Sequence, residues 1–216
     1  MYNPYDHRDP IVIANREKYF RDIDVDINTT TRLNTNILVR ATIDNDTDYC
    51  RYEKVSILDQ HKGMRDEHVV VADAIVTTDK GHALFLPLAD CVGAAFYDTS
   101  HHVLLLSHLG RHSLEQQGGV AGVQYLVDKY GSDPADIEVW LTPAPSKESY
   151  KIWALDNKGM KEVTFEQLLA AGITPEHIHD NTAETDKDSH YYSYTEYFNG
   201  RSDDPGRHAI VAMITD

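Results

Sequence analysis

Two short apolar runs constrain this chain more than any other feature. Ala83-Leu84-Phe85-Leu86-Pro87-Leu88 and Val103-Leu104-Leu105-Leu106 are each bounded by turn-forming residues. Runs of this length between turn signals read as buried strands. The first ends on Ala89-Asp90-Cys91, the second on Ser107-His108-Leu109-Gly110-Arg111-His112. Each strand therefore delivers a reactive side chain at its C-terminal end, Cys91 from one and His108 from the other. A thiolate and an imidazole on neighbouring rigid strands suit a metal site or a nucleophile.

The flanking pattern mixes both periodicities. Residues 1 to 10, with Pro4 and Pro10, read as a loose arm. Ile11 to Ala14 reads as a short strand, and Asn15 to Ile23 as an amphipathic helix with Tyr19, Phe20 and Ile23 on one face. Asn36 to Ile43 and Val55 to Leu58 are strand candidates. Between them Asp44, Asp46 and Asp48 imitate the start of a calcium loop but lack its glycine and closing glutamate, so a solvated turn is expected. Val69–Thr77 with Ala83–Leu88 predicts one hairpin, and Val92–Tyr97 with Val103–Ser107 a second. Ser113 to Tyr130 predicts a helix turning Leu114, Val120, Val123, Leu126 and Val127 inward and stopping at Gly131. Ile137–Leu141 and Tyr150–Leu155 read as strands, Glu166–Ala171 as a short helix, and His208–Thr215 as a closing strand.

Charge narrows the partners. The 216 residues carry a formal net charge of -15, a field that repels nucleic acid and anionic membranes. It also repels phosphate, so a phosphate-using site needs local positive charge. No apolar run is long enough to span a bilayer, and the polar Met1–Asp6 start does not resemble a signal peptide. Cys50 and Cys91 are the cysteines, read as reduced thiols in a cytoplasm.

Three segments carry a family resemblance: Ala72-Asp73-Ala74-Ile75-Val76-Thr77, then Leu88-Ala89-Asp90-Cys91, then His108-Leu109-Gly110-Arg111-His112-Ser113. In order and spacing they resemble the ADALVT, TADC and HAGWRG segments of the laccase-domain (YfiH-like) family. That family is also called multicopper polyphenol oxidases and is now regarded as purine nucleoside phosphorylases. Tyr191-Tyr192-Ser193-Tyr194 and Pro205-Gly206-Arg207 resemble its FFSYRRD and TGR segments. The resemblance implies an α/β (α+β) fold over residues 1–216, a single domain of mixed sheets flanked by helices. It also implies a zinc-dependent purine nucleoside phosphorylase acting on adenosine, inosine or methylthioadenosine, with adenosine deamination as a companion activity.

The resemblance sets out the site residues. Cys91 and His108 match two metal ligands. The third, a histidine in a QVHG segment, has its counterpart either in Gln60-His61-Lys62-Gly63 or in Arg32-Leu33-Asn34-Thr35. The expectation falls on His61, with His68 as a substitute; Asn34 would leave the metal site degenerate, since an amide is a poor zinc ligand. Three protein ligands would leave an open zinc position and an acidified water. Arg111 and His112 depart from the family's tryptophan and arginine. Arg111 is expected to hold phosphate, and His112 to act as acid or base. Asp90 either caps a turn or orients a ligand histidine. Arg207 either reaches the site or forms a structural ion pair, and Tyr191, Tyr192 and Tyr194 are core or rim residues before they are base-stacking ones. A copper oxidase of phenols is the alternative from the older family label; laccase chemistry would need several copper sites. A non-catalytic binding protein with a degenerate metal site is the third reading. The expected partners are a purine nucleoside and phosphate.

Overall fold

Both faces of the central strands are covered, which is why their sequences are continuously apolar rather than alternating. The computed structural model describes residues 9–33, 35, 52–54, 60–65, 72–203 and 206–215. The expected strands at 36–43 and 55–58, the acidic turn at Asp44, Asp46 and Asp48, Cys50, Asn34, His68 and arm residues 1–8 lie outside the described residues. In chain order the elements are α1 (Pro10–Asp22), β1 (Thr30–Arg32), β2 (Tyr52–Lys54), β3 (Ala74–Thr77), β4 (Ala83–Leu88), β5 (Val92–Asp98) and β6 (Val103–Leu109). There follow α2 (Arg111–Glu115), α3 (Gly118–Tyr130), β7 (Ile137–Leu141), β8 (Lys151–Ile152), β9 (Lys158–Gly159), α4 (Met160–Ala170), β10 (Ile178–Asp180), α5 (Tyr194–Phe198) and β11 (His208–Met213).

The strands form a six-stranded mixed sheet, β10-β7-β5-β6-β3-β2, a three-stranded sheet, β1-β4-β11, and a β8-β9 ribbon. Alternation along single strands separates the layers. Val103 and Leu105 of β6 pack with Val123, Leu126, Val163 and Leu168 of α3 and α4. Leu104 and Leu106 face the other way and meet Leu84, Leu86 and Leu88 of β4. Phe85 of β4 points to the far side and meets Phe20 of α1, with ring centroids 5.6 Å apart. The order is thus helices, large sheet, small sheet, helix.

Several expectations are corrected. Ile11–Ala14 is helical, not a strand: Pro10 opens α1, and the Asp9 side chain accepts from the Ile11 N–H at 2.8 Å. The buried face of α1 is Arg16 and Phe20, whereas Tyr19 and Ile23 are exposed. β3 and β4 do not pair as a hairpin. β3 lies in the large sheet between β6 and β2, and β4 crosses to the small sheet, where both its faces find cover. The β5–β6 hairpin forms as expected, its turn held by buried Asp98, which accepts from the Ser100 and His101 N–H groups at 2.8 and 2.9 Å. Tyr150–Leu155 yields only the two-residue β8 before a 3-10 turn, and the helix before Gly172 starts earlier than expected, at Met160.

His82 stitches the two sheets. It is 3% exposed, with Nε2 2.8 Å from Thr31 Oγ1 on β1 and Nδ1 3.0 Å from Thr77 Oγ1 on β3. Burial, and then the neighbouring charge of His61, hold its pKa below the ordinary histidine range, against a raising effect from Asp79. The unfolded chain takes up this proton near pH 6.5, the folded chain only at lower pH. The unfolded state therefore binds more protons in that window, and stability falls as pH drops below about 6.5.

The expected helix from Ser113 to Tyr130 is broken. Gln117 adopts a left-handed conformation (φ 62°), dividing it into α2 and α3. A Cβ on Gly118 would lie 2.0 Å from Ser113 Oγ, so only glycine permits this approach. Buried Gln167 of α4 closes the break: its Nε2 donates to Leu114 O (2.7 Å) and its Oε1 accepts from Gly119 N–H (2.9 Å). Gln167→Leu leaves both backbone groups unpaired, and denaturant unfolding should show a loss of about 2–4 kcal/mol. A loss under 1 kcal/mol would mean the break is held by other contacts. For His82, urea midpoints at pH 7.5 and 5.5 should show a smaller acid-induced decline in His82→Gln than in the parent; equal declines would place the acid sensitivity elsewhere.

Candidate functional site

The ends of β4 and β6 and the start of β5 meet at one edge of the two-sheet stack. Val92 registers with Leu109 and Gly93 with His108, so Cys91 and His108 are neighbours across the hairpin. Gly110 shows how close they come. A Cβ there would lie 2.7 Å from His108 Cε1, 3.2 Å from its Nε2 and 3.3 Å from Cys91 Sγ. The imidazole and the sulfur flank the space a side chain would fill. The His108 N–H is fixed by Asp73 O at 2.8 Å, which ties the first family segment to the third.

Burial sets both protonation states. The His108 pKa is lowered to about 4 by desolvation, so at neutral pH the ring is neutral and has a lone pair to give. The Cys91 thiol is pushed up to about 12, chiefly by burial and then by Asp90. Arg207, the Arg111 backbone N–H and the Arg111 guanidinium act in the opposite direction. As it stands the thiol is protonated, and it needs a bound cation to become a ligand. Tyr150 lies in the same electrostatic neighbourhood. Burial, followed by Cys91 and Asp90, raises its pKa, and Arg111 opposes the rise.

Arg111 and His112 are brought to the site but act as a unit. Arg111 Nη2 lies 3.1 Å from His112 Nε2, and His112 Nδ1 lies 3.2 Å from Glu115 Oε2. Since the guanidinium can only donate, His112 Nε2 is the acceptor and Nδ1 faces the carboxylate. His112 thereby orients the arginine, with both ring nitrogens engaged rather than one left for proton transfer.

His61 is not brought to Cys91 and His108. Its ring lies 5.4 Å from that of His82, and its N–H donates to Thr31 Oγ1 at 2.9 Å. His82 immediately precedes β4, whereas Cys91 follows it, so the strand separates the two groups. Thr77, which bonds His82, registers with Leu104, four residues and roughly 13 Å along β6 from His108. Of the three expected ligands, the structure places Cys91 and His108 together and His61 beside His82. Asn34 and His68 lie outside the described residues. Among the described residues, no group of three or more His, Cys, Asp or Glu side chains could hold a metal ion.

The sequence reading left the role of Asp90 open and missed His208. Asp90 is 3% exposed and orients neither histidine. Its Oδ1 accepts from Thr185 Oγ1 (2.9 Å) and its Oδ2 from the Thr195 N–H (2.7 Å). It staples the C-terminal segment and the start of α5 against the β4–β5 turn. His208 registers with Leu88 at the end of β4 and, like Ile210, falls on the face of β11 toward the large sheet. Its Nδ1 donates to Tyr192 O at 3.3 Å, which leaves buried Nε2 as an acceptor with no hydrogen-bond partner. Arg207, beside it, donates through Nη1 to Gly206 O at 2.7 Å. The only sequence hint was the adjacency of Gly206-Arg207-His208 to the closing strand. Tyr194 is exposed and stacks on Phe198, with ring centroids 6.2 Å apart.

The site offers a neutral imidazole beside a thiol, two arginines whose charge acts on that thiol, and one open acceptor at His208 Nε2. Among the described residues, no helix is long and apolar enough to cross a membrane.

Comparison with known proteins agrees with this layout. Residues 11–162 match the family described as multi-copper polyphenol oxidoreductase laccase. The chain is 32% identical over 147 residues to purine nucleoside phosphorylase YlmD of Bacillus subtilis, covering 67% of this chain and 49% of that protein. It is 33% identical over 84 residues to a purine nucleoside phosphorylase of Corynebacterium glutamicum, covering 39% of this chain and 34% of that protein. The matched stretch thus spans half or less of either relative. Among solved structures, YfiH of Bacillus licheniformis superposes with a TM-score of 0.80 at 21% identity, over 97% of this chain and 84% of that one. YlmD of Geobacillus stearothermophilus superposes with a TM-score of 0.80 at 20% identity, over 98% and 82%. The fold, the three spaced segments and the family match agree: this chain belongs to the multi-copper polyphenol oxidoreductase laccase (YfiH-like) family.

Proposed function

We propose that the chain is a purine nucleoside phosphorylase whose site lies between Cys91, His108, Arg111 and Arg207. The observation that carries this reading is the presence of two arginines beside Cys91 in a chain of net charge -15. Such a background disfavours phosphate everywhere except where cations are concentrated. In phosphorolysis a phosphate oxygen bonds to the ribose anomeric carbon as the bond to the purine nitrogen breaks, and the purine leaves with the electron pair. Arg111, oriented by His112 and Glu115, and Arg207, braced on Gly206 O, would hold the phosphate oxygens at the attacking face. His208 Nε2 would accept a ribose hydroxyl or a base amine. The names of the Bacillus and Corynebacterium relatives support the reaction class.

The donor set fits a metal only in part. Cys91 and His108 suit zinc by softness, but the described residues supply two donors where a catalytic zinc takes three. We propose that this pair binds zinc, which when bound would act as a Lewis acid; no step above depends on it. The family name favours a second reading, a copper oxidase of phenols.

Purified protein assayed with adenosine, inosine or methylthioadenosine should release free purine only when phosphate is present. Arg111→Gln/Arg207→Gln should raise the KM for phosphate at least tenfold, since charge-assisted bonds of about 1.5–3 kcal/mol are removed. Phosphate-independent turnover, or an unchanged KM, would sink the phosphate assignment. Oxidation of a phenol with no nucleoside cleavage would favour the second reading. Elemental analysis should show zinc lost in Cys91→Ala and His108→Ala and retained in His61→Ala; loss in His61→Ala would return that residue to the metal. Gly110→Ala, which inserts a methyl group between the two donors, should lower zinc content while the circular dichroism spectrum is unchanged.

A further inference from the structure

On the outer face of the small sheet, away from Cys91, lies a second concentration of positive charge. Arg32 of β1 registers with Phe85 of β4, so its side chain falls on the α1 side of the sheet. Arg16 of α1 is buried and approaches the same phenylalanine, its guanidinium carbon 5.9 Å from the ring centroid. Arg16 Nη1 donates to Met64 O (2.7 Å), and the Arg32 backbone N–H donates to Lys62 O (3.0 Å), so both arginines border one loop. The Arg32 guanidinium is different. Its Nε and Nη1 are buried and have no hydrogen-bond partner, and no carboxylate among the described residues pairs with it.

Such an arrangement is costly as it stands. A buried, unpaired guanidinium next to a like charge loses hydration and gains repulsion. Burial, followed by the Arg16 charge, lowers the Arg32 pKa to about 9, well below the usual range for arginine. With 35 acidic residues in the chain, an internal carboxylate was available in principle. Among the described residues none is placed against Arg32, whose Nε and Nη1 are left as donors for an external anion. Two adjacent guanidiniums match a dianion better than a monocarboxylate, and phosphate carries close to two negative charges at neutral pH.

We propose that Arg32, with Arg16 beside it, forms an oxyanion site for a phosphate group under α1, separate from the Cys91 site. The phosphate comes either free or on a small phosphomonoester. This inference does not depend on the phosphorylase reading. The test uses the full-length Arg111→Gln/Arg207→Gln protein, in which the other phosphate site is removed. Equilibrium dialysis with labelled phosphate should find about one phosphate per chain, and the thermal midpoint should rise by about 2–4 °C at a tenfold excess over Kd. Adding Arg32→Met should abolish both. In phosphate-free chloride buffer that variant should melt at or above its parent, because an unpaired buried charge has been removed. If the methionine variant does not fold, Arg32→Lys should weaken phosphate binding at least tenfold. Acetate should not compete, whereas competition by ribose 5-phosphate at lower concentration than phosphate would identify the monoester as the occupant. No bound phosphate in the Arg111→Gln/Arg207→Gln protein, or undiminished binding in both Arg32 variants, overturns the proposal. So does a lower midpoint for Arg32→Met in phosphate-free buffer, which would mark Arg32 as a structural cation.

Discussion

The structure depends on the burial of β4 and β6 on both faces. Leu104 and Leu106 meet Leu84, Leu86 and Leu88 across the sheets, while Leu105 turns to the helices and Phe85 to α1. Each such side chain is worth roughly 1.5–3 kcal/mol when removed from water, so a slip of either strand by one residue is strongly opposed. That fixed register carries Cys91 and His108 to the same edge. The site inherits its accuracy from an apolar layer it does not touch. His82, at the opposite end of β4, closes the same stack with hydrogen bonds to Thr31 and Thr77.

The same burial controls the chemistry. Desolvation drives His108 toward the neutral ring and Cys91 toward the neutral thiol. The neutral His108 ring has little attraction for protons, whereas Cys91 keeps its proton until a soft cation displaces it. Positive charge near the thiol comes separately, from Arg111 on the short α2 and Arg207 before β11. Neither arginine belongs to the sheets themselves.

Much of this was legible in the sequence, for reasons that can be traced to particular residues. Short apolar runs identified β4 and β6 because strands buried on both faces need no partner information to be recognised. Cys91 and His108 were identified by their position at strand ends. The hairpin of β3 with β4 was misread because a turn signal such as Thr78–Gly81 marks a reversal but not the sheet the next strand joins. His61 was chosen for residue type, and type alone could not reveal that β4 lies between it and Cys91. The break before Gly118 was invisible because its stabiliser, Gln167, is 48 residues or more away in the chain. The role of Asp90 stayed open for the same reason, its partners Thr185 and Thr195 lying 95 and 105 residues along.

Asp90 connects these points. Its positive φ of 83° lets the turn between β4 and β5 direct the carboxylate away from Cys91 and into the C-terminal segment. Both oxygens are occupied there, so the residue works as a clamp rather than as a partner for histidine. The clamp holds Ser193–Phe198 against the sheet edge, and Tyr192 of the same segment fixes His208 through its carbonyl oxygen. Cys91, the pair His108 and Arg111, and the pair Arg207 and His208 thus come from three parts of the chain. One buried carboxylate next to Cys91 joins the last of these parts to the first. A change at Asp90 would therefore be felt first as misplacement of Arg207 and His208, before any loss of the strands that carry Cys91 and His108.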